Sequence, residues 1–305
     1  MSQLIPLEEV PERSQALFMR LSGGLGNLLF QYLAGVARAR ALGAPHYGVP
    51  DVPMIHDSSL GRLGISLPMV RVPDFLMTRV SRRKDRSLAE RLRSLSGRWP
   101  LIPVREPSFH YWSGFDHVTA GSILFGYWQS PHYFAGLESE ILAIFDPAAR
   151  LTQELSATAA DLRNGDSVAV HVRRNDYARR PETLAVHGIM ELTYYDRARA
   201  VIEAKGRRPH FHVFSDEPTA AKALLGHWSN TTFMPVREQE VDMVLMSCCR
   251  NHIIANSTFS WWGAYVAGLR DANTGAVVAP RYWFTRETLL TRPVVDLMPE
   301  TWILA

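Results

Sequence analysis

From about residue 150 onward, short apolar runs and helix-length runs take turns, and this alternation limits the chain to few architectures. Strands are predicted over 167–172, 210–215, 231–235, 251–255 and 276–280, with helical runs over 193–205, 217–226, 239–249 and 259–270. Strands separated by helices of roughly 10–15 residues build a parallel sheet covered on both faces. Such a sheet binds its ligands at the carboxyl ends of the strands. Three polar clusters fall at that edge. His171, Arg173, Arg174 and Asp176 follow the first strand, Ser215, Asp216 and Glu217 the second, and Asn256, Ser257 and Thr258 the fourth. Surface ion pairs formed independently of one another have no reason to share an edge. The clusters therefore read as parts of one binding site.

The first half carries one comparable unit. Residues 16–21 (ALFMRL) form a predicted strand, 22–26 (SGGLG) a loop, and 27–42 a helix that ends at Gly43. Strand, glycine-rich loop and helix place backbone N–H groups beside a ligand. The dinucleotide fingerprint is incomplete, because Leu29 stands where its third glycine belongs and the later ribose carboxylate is missing. A tight strand-to-helix turn accounts for the glycines equally simply. Residues 45–80 show no clear periodicity. Between Glu106 and Phe134 aromatic residues are dense, which suits a domain core and, for a minority, the faces of sugars.

Charge and cysteine usage exclude several classes. The net charge of +3 gives no argument for nucleic acid. The stretch from Arg82 to Arg98 has seven basic and two acidic residues, with Leu88, Leu92 and Leu95 on one helical face. It reads as a surface helix docked by its leucines, with peripheral contact at the inner membrane as the alternative. Cys248 and Cys249 are adjacent, which is neither zinc nor redox spacing, and read as core residues of a reducing compartment. The acidic, proline-containing N-terminus is no signal peptide, so a cytoplasmic protein is expected. No D-x-D triplet is present, and His210 and His212 lack a third ligand. No metal is expected.

Adjacent guanidiniums suit a phosphate. Asn256, Ser257 and Thr258 precede a helix that opens with Phe259, Trp261 and Trp262, so hydroxyls and helix N–H groups form an anion site there; simple helix capping is the alternative. Asp216 and Glu217 can accept hydrogen bonds from a base or ribose, or complement a helix N-terminus.

The motifs Gly23-Gly24-Leu25-Gly26-Asn27 with Phe30-Gln31-Tyr32, the box from His171 to Tyr177, Phe214-Ser215-Asp216, and Asn256 to Ala264 (NSTFSWWGA) resemble the bacterial α-1,2-fucosyltransferases. Similarity to α-1,6- and protein O-fucosyltransferases is more distant. The resemblance spans residues 20–303. It implies two Rossmann-like α/β domains facing a cleft (GT-B-like), residues 1–150 on the acceptor side and 151–305 binding GDP-fucose. It implies GDP-fucose as donor, a glycan acceptor with galactose O2 as the target, no metal or other cofactor, and inversion at the fucose anomeric carbon. Carried over by position, Arg173 contacts the donor phosphates and His171 and Glu217 lie near the guanosine. Ser257, Thr258 and Ser260 close around the diphosphate, while Gly24 and Asn27 face the cleft. Asn175, Leu28 and Glu217 depart from the usual pattern; Asn175 replaces a glycine and can reshape the loop after Arg174.

Asp176 is the expected general base, with Glu182 and Glu191 in reserve. Rival readings are a fucosyltransferase of another linkage, a non-catalytic GDP-sugar or glycan-binding module and, more distantly, a dehydrogenase.

Overall fold

The structure, a computed structural model, describes residues 4–51, 55–73, 101–174, 181–204, 208–271 and 274–305, without the side chains of 55–58. Asn175, Asp176 and the stretch from Arg82 to Arg98 lie outside the described residues. The chain is α/β and divides into two compact units, Met1–Leu137 and Glu138–Ala305.

The first unit opens with β1 (Ile5–Pro6), β2 (Leu17–Leu21), α1 (Leu25–Leu42), β3 (His46–Pro50), α2 (Ile55–Arg62) and β4 (Val70–Arg71), and continues through β5 (Ile102–Arg105) and β6 (Ser122–Phe125). Four strands pair in parallel in the order β3-β2-β6-β5, and β1 pairs with β4. Strand β2 is buried except at Arg20, because α1 packs against it and Phe18 joins Val49, Ile123 and Phe125 in the core. Helix α1 begins at Leu25, two positions before the sequence expectation, and stops where Gly43 turns left-handed (φ 60°) and returns its N–H to Ala39 and Arg40.

The second unit holds α3 (Glu138–Ile144), α4 (Pro147–Arg150), α5 (Gln153–Asn164), β7 (Ser167–Val172), α6 (Pro181–His187), α7 (Leu192–Glu203), β8 (His210–Ser215), α8 (Pro218–Leu225), β9 (Thr231–Phe233), α9 (Gln239–Met246), β10 (Asn251–Ile253), α10 (Thr258–Arg270), β11 (Val277–Ala279), α11 (Arg286–Thr291) and β12 (Ile303–Leu304). The division falls before the boundary expected at residue 150. Helix α3 packs on α10, and the Arg270 guanidinium donates to the Phe145 carbonyl (3.0 Å), so residues 138–150 are built into the second core.

Its described strands make a six-stranded parallel sheet in the order β12-β11-β10-β7-β8-β9. Every residue of β7 is buried, as a strand covered on both faces requires. Val168, Val170 and Val172 face Tyr194, Tyr195, Ala198 and Ala221 on one side. Ala169 faces Ala159, Leu162, Leu245 and both cysteines on the other. Cys248 and Cys249 are thus core residues, and burial pushes the Cys249 thiol up.

Strand order reverses at β7. The chain runs outward through β8 and β9, then returns to the other flank of β7 for β10, β11 and β12. A reversal of this kind opens a crevice between the carboxyl ends of β7 and β10. In the first unit the same reversal lies between β2 and β6.

Candidate active site

The crevice of the second unit is where the polar clusters converge. Val172 pairs with Ser215 and Val170 with Ile253, so the loops after β7, β8 and β10 leave the same edge. The Arg174 backbone N–H donates to Asp216 Oδ1 (3.2 Å), tying the β7 loop to the β8 loop. The His171 ring lies 5.3 Å from the Phe259 ring in the first turn of α10. Three segments far apart in sequence are therefore one site.

The edge is held by tyrosines that packing alone would not require. Tyr194 donates its hydroxyl to the Ile254 carbonyl (2.6 Å), and Tyr195 donates to the His171 carbonyl (2.9 Å). Both rings are buried in the core under the sheet, so these bonds fix strand ends that would otherwise fray.

His171 is buried, and burial together with the Arg173 charge pushes its imidazole down to about 3. Its ring is neutral at physiological pH, and Nδ1 is buried with no hydrogen-bond partner among the described residues. Arg173 and Arg174 are half-buried. The Arg174 guanidinium donates to the Met190 carbonyl (3.2 Å), which anchors that side chain to the segment before α7.

Ser257 is the N-cap of α10, yet its side chain makes no capping hydrogen bond. The helix N-terminus is thus not closed by its own cap residue, and its partial positive charge is directed to the crevice. Ser260 instead donates its hydroxyl to the Ser257 carbonyl (3.2 Å) and is fully buried. Asn256 is buried and donates its amide to the carbonyls of His187 (2.7 Å) and Trp283 (3.3 Å). These two side chains hold the loop in shape, whereas Ser257 and Thr258 sit at the helix mouth. Glu217 is the N-cap of α8, and its N–H donates to Ser215 Oγ (3.1 Å). Asp216 is exposed.

Gly24 and Asn27 belong to the first unit, at the start of α1. Gly23 has φ 86° and needs to be glycine. Gly24 has an ordinary backbone and nothing within 4 Å of an added Cβ, so nothing inside the chain demands its small size. Asn27 Oδ1 accepts from Gln129 Nε2 (2.9 Å). Gln31, fully buried, accepts from the Ser22 N–H (2.9 Å) and donates to the Gly126 carbonyl (2.9 Å). Two loops a hundred residues apart in sequence, SGGLGN and GYWQS, are bolted together at the reversal between β2 and β6. Gln31→Ala should lower stability by about 2 kcal/mol, since it strands a backbone donor and acceptor, and urea unfolding of the variant measures this.

Sequence reasoning missed other residues at this edge. Arg20 makes a two-pronged pair with Asp51 (2.7 and 2.8 Å), and Glu106 Oε2 accepts from the N–H groups of Tyr127 and Trp128 (2.7 and 3.0 Å). The signal for Arg20 was present, a charge inside an otherwise apolar strand; Glu106 had none. Phe115, Phe125, Trp128, Tyr133 and Phe134 are core, while Tyr127 is 37% exposed.

His210 is held between Asn230 Oδ1 (3.0 Å) and Thr232 Oγ1 (2.8 Å), and packs 4.7 Å from His212. Both roles are structural.

The profile of glycosyl transferase family 11 matches residues 116–289. The α-1,2-colitosyltransferase of Escherichia coli is 31% identical over 300 residues, covering 93% of this chain and 97% of that one. The chain belongs to glycosyl transferase family 11. Two further relatives are the O-antigen biosynthesis glycosyltransferase WbnK of Escherichia coli (28% identical, 88% and 95% covered) and galactoside α-(1,2)-fucosyltransferase 2 of Sus scrofa (25% identical, 92% and 77% covered). The match of this family 11 glycosyltransferase takes in the whole β7–β10 crevice and the GYWQS loop, while the SGGLGN loop precedes it. Among the described residues no helix is long and apolar enough to cross a membrane.

Proposed function

We propose that this family 11 glycosyltransferase transfers L-fucose from GDP-fucose to O2 of a galactose residue in a glycan, with inversion and without a metal. The observation that carries the reading is the convergence at the β7–β10 crevice of Arg173 with an α10 N-terminus that its cap residue leaves open. A guanidinium and a helix N-terminus together neutralise a diphosphate without a cation. The relatives named for α-1,2 transfer support the linkage.

In the proposed step the acceptor O2 attacks the fucose anomeric carbon and its proton passes to a carboxylate, for which Asp176 is the candidate. The bond between the anomeric carbon and the phosphate oxygen breaks, and its electron pair stays with GDP. Arg173 and the first amides of α10 hold that charge. The neutral His171 ring packs beside the same site and adds no positive charge of its own.

The donor sugar is tested by supplying GDP-fucose and GDP-colitose separately with a galactose-terminated oligosaccharide, with and without chelator. The expected result is a product linked α-1,2, with GDP released in equal amount and no loss on chelation. Preference for GDP-colitose would replace the donor and keep the mechanism. Linkage at another hydroxyl would overturn the acceptor assignment, and complete dependence on a divalent metal would overturn the charge-stabilising roles above. Absence of both product and GDP would leave a binding module.

A further inference from the structure

We propose that the second unit carries a site for the phosphate headgroup of an anionic lipid on the β11–β12 flank of its sheet. A cavity of about 870 Å³ lies where the segment after β11, strand β12 and helix α7 meet. Arg197 from α7, Arg281 after β11 and Arg286 at the start of α11 all line it. Glu191 adds a carboxylate, so the guanidiniums are in excess.

None of the three arginines is ion-paired among the described residues; Arg286 instead lies over the Tyr282 ring, 5.1 Å from its centroid. Three guanidiniums on the walls of one hollow, with one carboxylate among them and no ion pair formed among the described residues, leave an excess of positive charge that an anion relieves. Planar forks converging on one cavity suit phosphate oxygens.

Apolar exposure on the same walls points to a lipid as the bearer of that phosphate. Of nine large apolar side chains exposed among the described residues, five (Tyr282, Leu290, Val295, Ile303 and Leu304) come from residues 281–305. Tyr282, Ile303 and Leu304 line the cavity beside the arginines. Leu290, 86% exposed, stands one helical turn after Arg286 on α11. Cations interleaved with exposed Tyr, Leu and Ile are the chemistry of an anionic bilayer surface, where chains enter the interface and guanidiniums take the headgroups. A free phosphate would use the arginines and leave the apolar rim without a role.

The test is co-sedimentation of the full chain with phosphatidylglycerol vesicles and with phosphatidylcholine vesicles. Binding to the first and not the second is expected. The combined variant Arg197→Gln, Arg281→Gln, Arg286→Gln should lower the partition coefficient about a hundredfold. Its transfer activity on a soluble acceptor should stay unchanged, which separates this proposal from the fucosyl-transfer reading. Should the combined variant lose its circular dichroism signature, Arg281→Gln alone carries the test with a several-fold drop. Inorganic pyrophosphate should displace the wild-type protein from the vesicles. Equal binding to both lipids, or wild-type binding by the combined variant, overturns the proposal. Pyrophosphate binding that needs these arginines without any vesicle binding overturns the lipid assignment and makes the ligand a soluble anion.

Discussion

Arg173→Gln is expected to lower kcat for glycosyl transfer by about 10²–10³-fold, the loss found when one preorganised donor to developing charge is removed. The physical reason is that GDP gains negative charge as the glycosidic bond breaks, and a half-buried guanidinium at the crevice counters it without reorganising. The loss should fall on kcat more than on KM, since the charge is greatest in the transition state. Arg173→Lys should recover about tenfold, because the charge returns but the two-pronged fork does not. Arg174→Gln should lose much less. The Arg174 guanidinium is bonded to the Met190 carbonyl, and its link to Asp216 runs through its backbone N–H. Equal losses at the two arginines would refute the division of roles, and near wild-type turnover of Arg173→Lys would refute the phosphate contact.

Acid should unfold the protein well before its carboxylates are all protonated. His46, His171 and His252 are buried almost completely, and desolvation pushes them down to about 4, 3 and 4. In the unfolded chain each titrates near 6.5. Between those values the unfolded state binds protons that the folded state refuses, so stability rises with pH over that range and is complete above about pH 7. Each site contributes a slope of ~1.4 kcal/mol per pH. His171 and His252 lie in the second unit, giving it ~3 kcal/mol per pH between about pH 4 and 6. His46 gives the first unit half that slope. Two groups in the second unit oppose each other. Burial lowers His212 to about 4, adding to the slope, and raises Asp242 to about 6 despite Arg237, subtracting from it. Integrated from pH 7 to pH 5, the two imidazoles remove ~4 kcal/mol from the second unit, a substantial share of the ~5–15 kcal/mol by which folded domains are stable. Urea unfolding at pH 7.5, 6.5 and 5.5, followed by a probe in each unit, measures it. A midpoint independent of pH over that range would mean the imidazoles take up protons in the folded state.

Both expectations draw on features that sequence reading reached unequally. The alternation from residue 150 located each strand of the second sheet except β12, within a residue or two at most ends, because apolar periodicity is a local property. The clusters at the strand ends were legible for the same reason. Nothing local distinguished Asn256 and Ser260, which hold the loop, from Ser257 and Thr258 at the helix mouth. Which of them donates to a backbone carbonyl depends on where His187, Trp283 and Ser257 lie in space.

The first unit was harder to read. Strands β3, β5 and β6 are short and lie beside proline- and aromatic-rich segments, where period-2 patterning is masked. Trp128 takes a left-handed backbone (φ 54°) that a bulky residue adopts at some cost. It does so because Glu106 binds two successive N–H groups there and because its ring packs against Phe115 and Tyr133. No sequence rule predicts that combination.

By itself the sequence determined the α/β class, the parallel pairing and the fact that HVRR, FSDE and NST lie on one edge. Those follow from helix and strand periods and from the handed crossover between parallel strands. Strand order was decided only in the tertiary structure. Whether the chain returns past β7 to lay down β10 depends on which faces are left to bury, and that is a property of the whole core. The return puts the open N-terminus of α10 beside Arg173, making a crevice of what the sequence shows only as an edge.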